Sequence, residues 1–259
     1  RSWSVAFIRD ITARRRAEHA LRAREEEFRV AREIQHRLFP DAPPRIPGYD
    51  IAGASFPADE AGGDYFDYLP MLDGGLGIVV GDVAGHGIQA ALLMAMAKSA
   101  LLLNDSACAE PEIIMSALNR TFCNLRKSSI TTMMTGQIIS ISCSGQVCLL
   151  NAGHCPPLVV GGTSRTVTPI SSEALPFGFS LRRKFSRLPV SMAAGDTIIL
   201  YSDGILECAN RHGQMLGEEG FHQRREAGWG ARVTHRRTPQ QRALSARPVA
   251  AYRDGARAR

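Results

Sequence analysis

The sequence lacks a hydrophobic run long enough to cross a membrane. Its longest apolar stretch, Ile88 to Leu103, has 16 residues and contains Lys98, whereas a spanning helix needs about 20 apolar residues. No secretory signal precedes the first motifs. We therefore expect a cytoplasmic protein with no membrane segment in this chain.

Paired cysteines of the metal-binding kind are also missing. The six cysteines are scattered without a CxxC pair, and several lie in apolar runs such as Val147 to Leu150. This usage disfavours a zinc site and predicts buried free thiols in a reducing compartment.

Lysine is scarce, and the positive charge is concentrated at one end. The chain has 28 Arg but only 3 Lys, and its net charge is +6. Residues 222–259 hold ten of these Arg against Glu226 and Asp254, so the rest of the chain is slightly acidic. A basic domain would favour nucleic-acid binding, but this tail has no aromatic platform. We predict no nucleic-acid partner, and DNA binding through the tail is the least favoured hypothesis.

A charged stretch without Gly or Pro, residues 12–38, predicts a helix that four prolines from Pro40 to Pro47 terminate. The spacing fits both a solvated surface helix and a short parallel coiled coil that joins a sensor to an output domain. The residues of this imperfect heptad seam, with polar breaks at Arg24 and Gln35, are Ala17, Leu21, Arg24, Phe28, Ala31, Gln35 and Leu38.

From Tyr49 to Phe221 short apolar runs alternate with Gly-containing turns. Two buried helices are predicted, at Ile88–Leu103 and Pro111–Leu125. The combination favours an α+β fold with mostly antiparallel sheet. Strands are predicted at Leu76–Val80, Thr131–Ser142, Gln146–Asn151, Leu158–Val160, Thr166–Ile170, Lys184–Val190 and Thr197–Ser202.

Three aspartates stand among glycines: Asp64 after Gly62-Gly63, Asp82 after Gly81, and Asp203 before Gly204. An Asp-Gly pair alone usually marks a turn. Carboxylates beside glycine can approach a cation closely, and three of them would form an oxygen-rich site for Mg²⁺ or Mn²⁺.

The motifs and their order resemble the SpoIIE/RsbU-like branch of the metal-dependent protein phosphatase (PPM) family, from about Gln35 to Phe221. The opening residues Phe7 to Thr12 resemble the end of a PAS sensor domain entering its signalling helix. The stretches that carry the phosphatase resemblance are Ile34–Pro40, Pro57–Asp67, Gly81–Gly87, Asn151–Pro157, Gly195–Asp196 and Tyr201–Glu207.

This resemblance implies a PPM-type αββα sandwich of two antiparallel β-sheets flanked by helices, with an N-terminal linker or coiled-coil helix. It divides the chain into four parts. We expect a PAS-like end at 1–11, a signalling linker helix at 12–40, a phosphatase domain at 41–221 that is incomplete at its C-terminus, and a basic, disordered tail at 222–259.

The resemblance also implies a reaction: metal-activated water hydrolyses phosphoserine or phosphothreonine on a protein, without a covalent enzyme intermediate. Asp82 would bridge two divalent metals with help from the carbonyl of Val83, while Asp64 and Asp203 would each ligate one metal. These three aspartates are the expected catalytic residues. The implied substrate is a phosphorylated STAS-domain anti-sigma-factor antagonist, and the implied assembly is a homodimer through the linker helix.

Other polar residues near the motifs have less defined expectations. His86 is either a proton donor to the leaving oxygen or a structural residue of its tight turn. His154, before Cys155-Pro156-Pro157, is predicted to be structural. Glu60 and Asp67 are either outer-sphere groups around the metal ligands or solvated loop acids.

One expected feature is absent from the sequence. The family continues with a late Asp that completes one metal site, and Asp254 does not match that motif. The alternative function is therefore a catalytically impaired phosphatase fold, which docks the STAS protein without turning it over.

Overall fold

A computed structural model describes residues 10–56, 62–105, 110–125 and 133–226. Most of the PAS-like end at 1–11 and of the basic tail at 222–259 lies outside the described residues, so both remain predictions.

Among the described residues, eight strands form two sheets in which every neighbouring pair is antiparallel. The larger sheet has the order β1-β2-β3-β4-β7 and the smaller one β6-β5-β8. The elements are α1 Thr12–His36, β1 Asp64–Pro70, β2 Leu76–Val83, α2 Gly87–Asp105, α3 Pro111–Leu125, β3 Met134–Ile141, β4 Val147–Ala152, β5 Leu158–Val160, β6 Val167–Pro169, β7 Leu188–Val190, β8 Thr197–Ile199 and α4 Gly217–Glu226.

Three apolar clusters separate four layers. Helices α2 and α3 pack on one face of the larger sheet, the smaller sheet covers its other face, and α4 packs against the smaller sheet. This arrangement confirms the predicted αββα sandwich. Representative core residues, in that order of clusters, are Met94, Leu118 and Ile138, then Ile78, Leu149 and Leu200, then Leu158, Tyr201 and Phe221.

The central strands of the larger sheet are buried on both faces. In β3, Ile138 packs toward the helices, whereas Ile139 packs toward the smaller sheet. A strand covered on both sides has a nearly continuous apolar sequence, which is why the sequence predicted β2 and β3. Strand β1 was missed, because it alternates acidic and aromatic residues at the edge of the sheet.

Helix α1 is two residues shorter than predicted, and its only buried residue is Gln35. Just beyond the helix, Leu38 and Phe39 pack against the core, and the Phe39 ring stacks on Phe66 with 5.4 Å between centroids. The C-terminal end of the heptad seam therefore packs on the protein's own domain, while Leu21 is 59% exposed. The coiled coil remains a prediction, because the structure describes a single chain.

Helix α4 runs to Glu226, and its Phe221 is buried against Tyr201 with 4.8 Å between ring centroids. The folded part of the chain thus continues slightly past residue 221.

Across the described ranges, no helix combines the length and the hydropathy needed to cross a membrane. The described cysteines are free, as expected. Cys123, Cys148 and Cys155 are only partly buried, and Cys143 and Cys208 are exposed, so the expectation of burial was wrong for these last two.

Asp67 has neither of its expected roles. It lies on the helix-facing side of β1, opposite in direction to Asp64, and it is only 3% exposed. There it accepts a hydrogen bond from the Tyr65 hydroxyl and forms an ion pair with Lys98 of α2. This buried pair joins α2 to the strand that carries Asp64.

Replacing Lys98 by Met should lower the free energy of unfolding by about 3 kcal/mol, because it leaves the buried Asp67 carboxylate without its cation. Urea denaturation measures the loss. The matched control is Arg14→Met, which removes the exposed ion pair with Glu18 and should unfold close to the parent protein. Equal stability of the two variants would contradict the structural role of the buried pair.

Candidate functional site

The register between β1 and β2 places Asp64 directly opposite Asp82, and the next pair places Asp82 opposite Thr135 of β3. Directly opposite residues of antiparallel strands point to the same face and lie close together. The three side chains therefore form a polar row across one end of the larger sheet. They lie on the same face of the larger sheet as Ile78 and Ile139, which is the face that packs against the smaller sheet.

Gly63 leaves room for two oxygen atoms expected to bind metal. A Cβ at this position would lie 2.4 Å from the carbonyl oxygen of Val83 and 2.8 Å from Oδ1 of Asp82. The Val83 N–H also donates to the Gly63 carbonyl over 3.2 Å. Only glycine fits at position 63 without displacing these atoms. The Val83 carbonyl oxygen and Oδ1 of Asp82 therefore both border the space that a side chain at this position would fill.

The smaller sheet contributes the third carboxylate. Asp203 is exposed at the start of a single 3₁₀ turn just after β8. A Cβ on the next residue, Gly204, would lie 3.8 Å from Oδ2 of Asp64. The structure thus brings together all three predicted aspartates, which come from three separate segments.

The carboxylates perturb one another. Burial raises the pKa of Asp82 to about 7, and the charges of Asp64 and Asp203 add to the increase. Burial also raises the pKa of Asp64, although a hydrogen bond from Ser202 opposes this effect. Neighbouring acids with raised pKa values form a site where a cation would relieve the repulsion.

The oxygen atoms of the site match the preferences of a divalent metal. Carboxylate and carbonyl oxygens suit a hard cation such as Mg²⁺ or Mn²⁺, and the space at Gly63 keeps two of these oxygens free of side chains. Within the described parts of the chain, no three His, Cys, Asp or Glu side chains converge closely enough to hold a metal by themselves. The residues fit such an ion in chemical type and charge, provided that carbonyl oxygens or water complete its coordination.

Sequence reasoning missed three residues of this site. Ser202 hydrogen-bonds Asp64, the charge of Glu207 contributes to the raised pKa of Asp82, and Thr135 lies beside Asp82. Ser202 and Glu207 lie within the stretch Tyr201–Glu207 that carries the family resemblance, and this proximity to Asp203 could have singled them out. Thr135 carries no local signal, because only the strand register brings it to the site.

The remaining expectations have different outcomes. His86 is exposed in the turn between β2 and α2, which leaves both of its expected roles open. His154 is buried in a hydrogen-bonded turn, as a structural residue would be. Glu60 and Asp254 lie outside the described residues, so the incomplete metal site remains a prediction.

The linker helix contacts the site directly. Nε2 of Gln35 donates to the carbonyl oxygen of Gly62 over 2.5 Å, and its Oε1 accepts from the Gly62 N–H over 3.2 Å. Gln35, one of the two polar breaks in the heptad seam, thus fixes the backbone next to Gly63 and Asp64 through two hydrogen bonds, which we call the Gln35 clamp.

Comparison with known proteins agrees with this geometry. The family described as stage II sporulation protein E (SpoIIE) matches residues 72–241. Phosphoserine phosphatase RsbU of Bacillus subtilis is 28% identical over 188 residues, covering 72% of this chain and 55% of RsbU. The chain thus spans about half the length of this curated relative.

Solved structures show the same fold. The SiaA-PP2C domain of Pseudomonas aeruginosa matches with a TM-score of 0.67 and 23% identity, over 80% of this chain and 83% of that domain. The RsbU and RsbW domains of Rv1364c from Mycobacterium tuberculosis match with a TM-score of 0.53 and 34% identity. That match covers 65% of this chain and 47% of the other.

The raised pKa of Asp82 predicts a pH-dependent stability of the metal-free protein. The unfolded carboxyl group ionises near pH 4, whereas the folded one ionises at about 7. Between these values the folded state holds a proton that the unfolded state releases, so stability falls as pH rises. Solvent screening at this partly exposed group limits the fall to about 1–2 kcal/mol.

Denaturation in EDTA at pH 5 and pH 8 measures this fall. Asp82→Asn should remove it, whereas Asp50→Asn, at an exposed position away from the site, should retain it. A parent protein that is equally stable at both pH values would contradict the assigned electrostatics.

Proposed function

Because this chain belongs to the SpoIIE family, we propose that it is a metal-dependent protein serine/threonine phosphatase, the output domain of a bacterial signalling protein. One observation carries the proposal: Asp64 and Asp82 face each other across β1 and β2, with Asp203 of the other sheet beside them. Phosphoryl transfer of this class depends on positioning and charge neutralisation, which such a cluster can organise around cations.

The proposed ligands are the carboxylates of Asp64, Asp82 and Asp203 and the carbonyl oxygen of Val83. Asp82 with Val83 would hold both ions, while Asp64 and Asp203 would each hold one. Bound there, Mg²⁺ or Mn²⁺ would neutralise charge on the phosphoryl oxygens and lower the pKa of an attacking water. The exposure of Asp203 leaves the site open on that side, as a phosphorylated protein substrate requires.

The proposed substrate is a phosphorylated STAS-domain anti-sigma-factor antagonist in the cytoplasm. The similarity to RsbU, which is named a phosphoserine phosphatase, supports phosphoserine hydrolysis. The similarity to an RsbU domain that shares its chain with an RsbW domain supports a function beside a partner of the RsbW type.

The linker helix α1 is the proposed dimerisation and relay element. The clamp of Gln35 on Gly62 supports the relay, because displacement of the helix end would move the backbone next to Asp64. Leu21 and Ile34, which are 59% and 60% exposed, offer apolar surface for a second copy.

A docking module without turnover is the second candidate. It is supported by the mismatch of Asp254 with the family's late Asp. Calorimetric titration with Mn²⁺ separates the two functions. Two sites of useful affinity support the phosphatase, whereas one weak site or none supports the docking module.

Mn²⁺-dependent hydrolysis of p-nitrophenyl phosphate tests the catalytic assignment. Asp82→Asn and Asp203→Asn should each lower kcat/KM by about 100-fold or more, because each removes charge that holds the metals. Asp50→Asn is the matched control and should retain full activity. Undiminished turnover in Asp82→Asn would contradict the assignment, and an inactive but folded parent would favour the docking module.

A further inference from the structure

His154 is fixed in a tight turn just after β4. The side chain of Asn151 accepts a hydrogen bond from the His154 N–H over 2.9 Å and donates one to the His154 carbonyl over 3.2 Å. Gly153, which lies between Asn151 and His154 in the chain, adopts a φ of 70°. A Cβ at this position would lie 3.0 Å from the carbonyl oxygen of Ala174, so the turn favours glycine. This turn sets the direction of the imidazole ring, and His154 as a whole is only 5% exposed.

The two ring nitrogens of His154 differ in their surroundings. Nδ1 lies 2.8 Å from the Thr135 hydroxyl, next to Asp82 in the polar row. Nε2 is buried, and it has no hydrogen-bond partner among the residues that the structure describes. A buried polar atom without a partner is uncommon and calls for an explanation.

The groups that act on the ring from the other sheet are both acceptors. The Asp203 carboxylate and the Tyr201 backbone each favour the protonated ring. A bare nitrogen lone pair would face these negative groups unfavourably, whereas an N–H would be attracted to them. The Thr135 hydroxyl has one proton and two acceptors within reach, Nδ1 of His154 at 2.8 Å and the Asp82 carbonyl oxygen at 3.4 Å, and the shorter distance favours donation to Nδ1.

From this geometry we propose that His154 is a positioning residue of the metal centre. Its Nδ1 accepts from Thr135, and the positive end of its Nε2–H dipole attracts the acceptors at the end of β8, the Tyr201 backbone and the Asp203 carboxylate, toward Asp82. The ring thereby ties together the two sheets that supply the carboxylates. The inference rests on the proposed function for its metal, but the assigned tautomer does not require a bound ion.

The electrostatics of the ring agree with this role. Burial lowers the pKa of His154 to about 4, so the ring is neutral at pH 7 and has one proton to place. A neutral donor can orient an acceptor without adding a positive charge that would compete with a cation.

Nuclear magnetic resonance of the full chain, labelled with ¹⁵N-histidine and free of metal, tests the tautomer. Long-range ¹H–¹⁵N spectra at pH 7 should show one ring with protonated Nε2 and bare Nδ1, and this signal should disappear in His154→Gln. A proton on Nδ1, or on both nitrogens, would overturn the proposal.

Two substitutions separate positioning from mere filling of space. Asn at 154 can keep an acceptor near Thr135 but loses the distal donor, whereas Gln extends its amide N–H₂ toward the Nε2 position. Hydrogen exchange of residues 197–207 should be about tenfold faster in His154→Asn and near the parent rate in His154→Gln. Residues 111–125 of α3, on the opposite face of the larger sheet, are the internal control and should not change. Equal exchange in both variants would overturn the positioning role.

Mn²⁺ titration of the same variants separates this inference from the proposed function. His154→Asn should bind Mn²⁺ about tenfold more weakly than His154→Gln, and an equal affinity of the two variants would contradict the role at the metal. If the parent itself binds no Mn²⁺ and hydrolyses nothing, the proposed function fails, while the spectra and the exchange still decide how His154 holds the two sheets.

Discussion

The cross-strand pairing of Asp64 with Asp82 is the constraint on which the rest of the structure depends. Like charges directly opposite in a sheet are destabilising, and burial makes the repulsion stronger. The surrounding fold has to hold this arrangement. Strand β2 is paired on both sides, and the cores on the two faces of the larger sheet fix its register.

The site is assembled by the second sheet and by the helices around this pair. The smaller sheet brings Asp203 to the same end, and the buried pair of Asp67 and Lys98 fastens α2 to the strand of Asp64. Gln35 extends the connection to the linker helix through the backbone of Gly62. In the proposed enzyme, a signal that moves α1 would therefore reach the ligands through hydrogen bonds already present.

Local signals in the sequence predicted a large part of the fold. The bounds of α3 match the prediction, Pro111–Leu125, because its apolar residues recur with helical spacing. Strand β5 also matches, since prolines precede it and glycines follow it. Strand β1 was missed because Asp67 has the features of a loop acid in the sequence. Only the folded chain shows that Lys98 of α2 pairs with it and allows its burial. The aspartates of the site were predicted through family motifs. The positions of Thr135 and of Nε2 of His154 at the site depend instead on strand register and on contact between the two sheets, which no local pattern encodes.

Anomalous X-ray diffraction from crystals of the chain grown with Mn²⁺ tests the central claim most directly. The account predicts an anomalous peak in contact with the Asp82 carboxylate, bordered by Asp64 or Asp203, that disappears in crystals of Asp82→Asn. Ordered crystals at saturating Mn²⁺ with no peak beside Asp82, or with peaks only at surface acids, would contradict it.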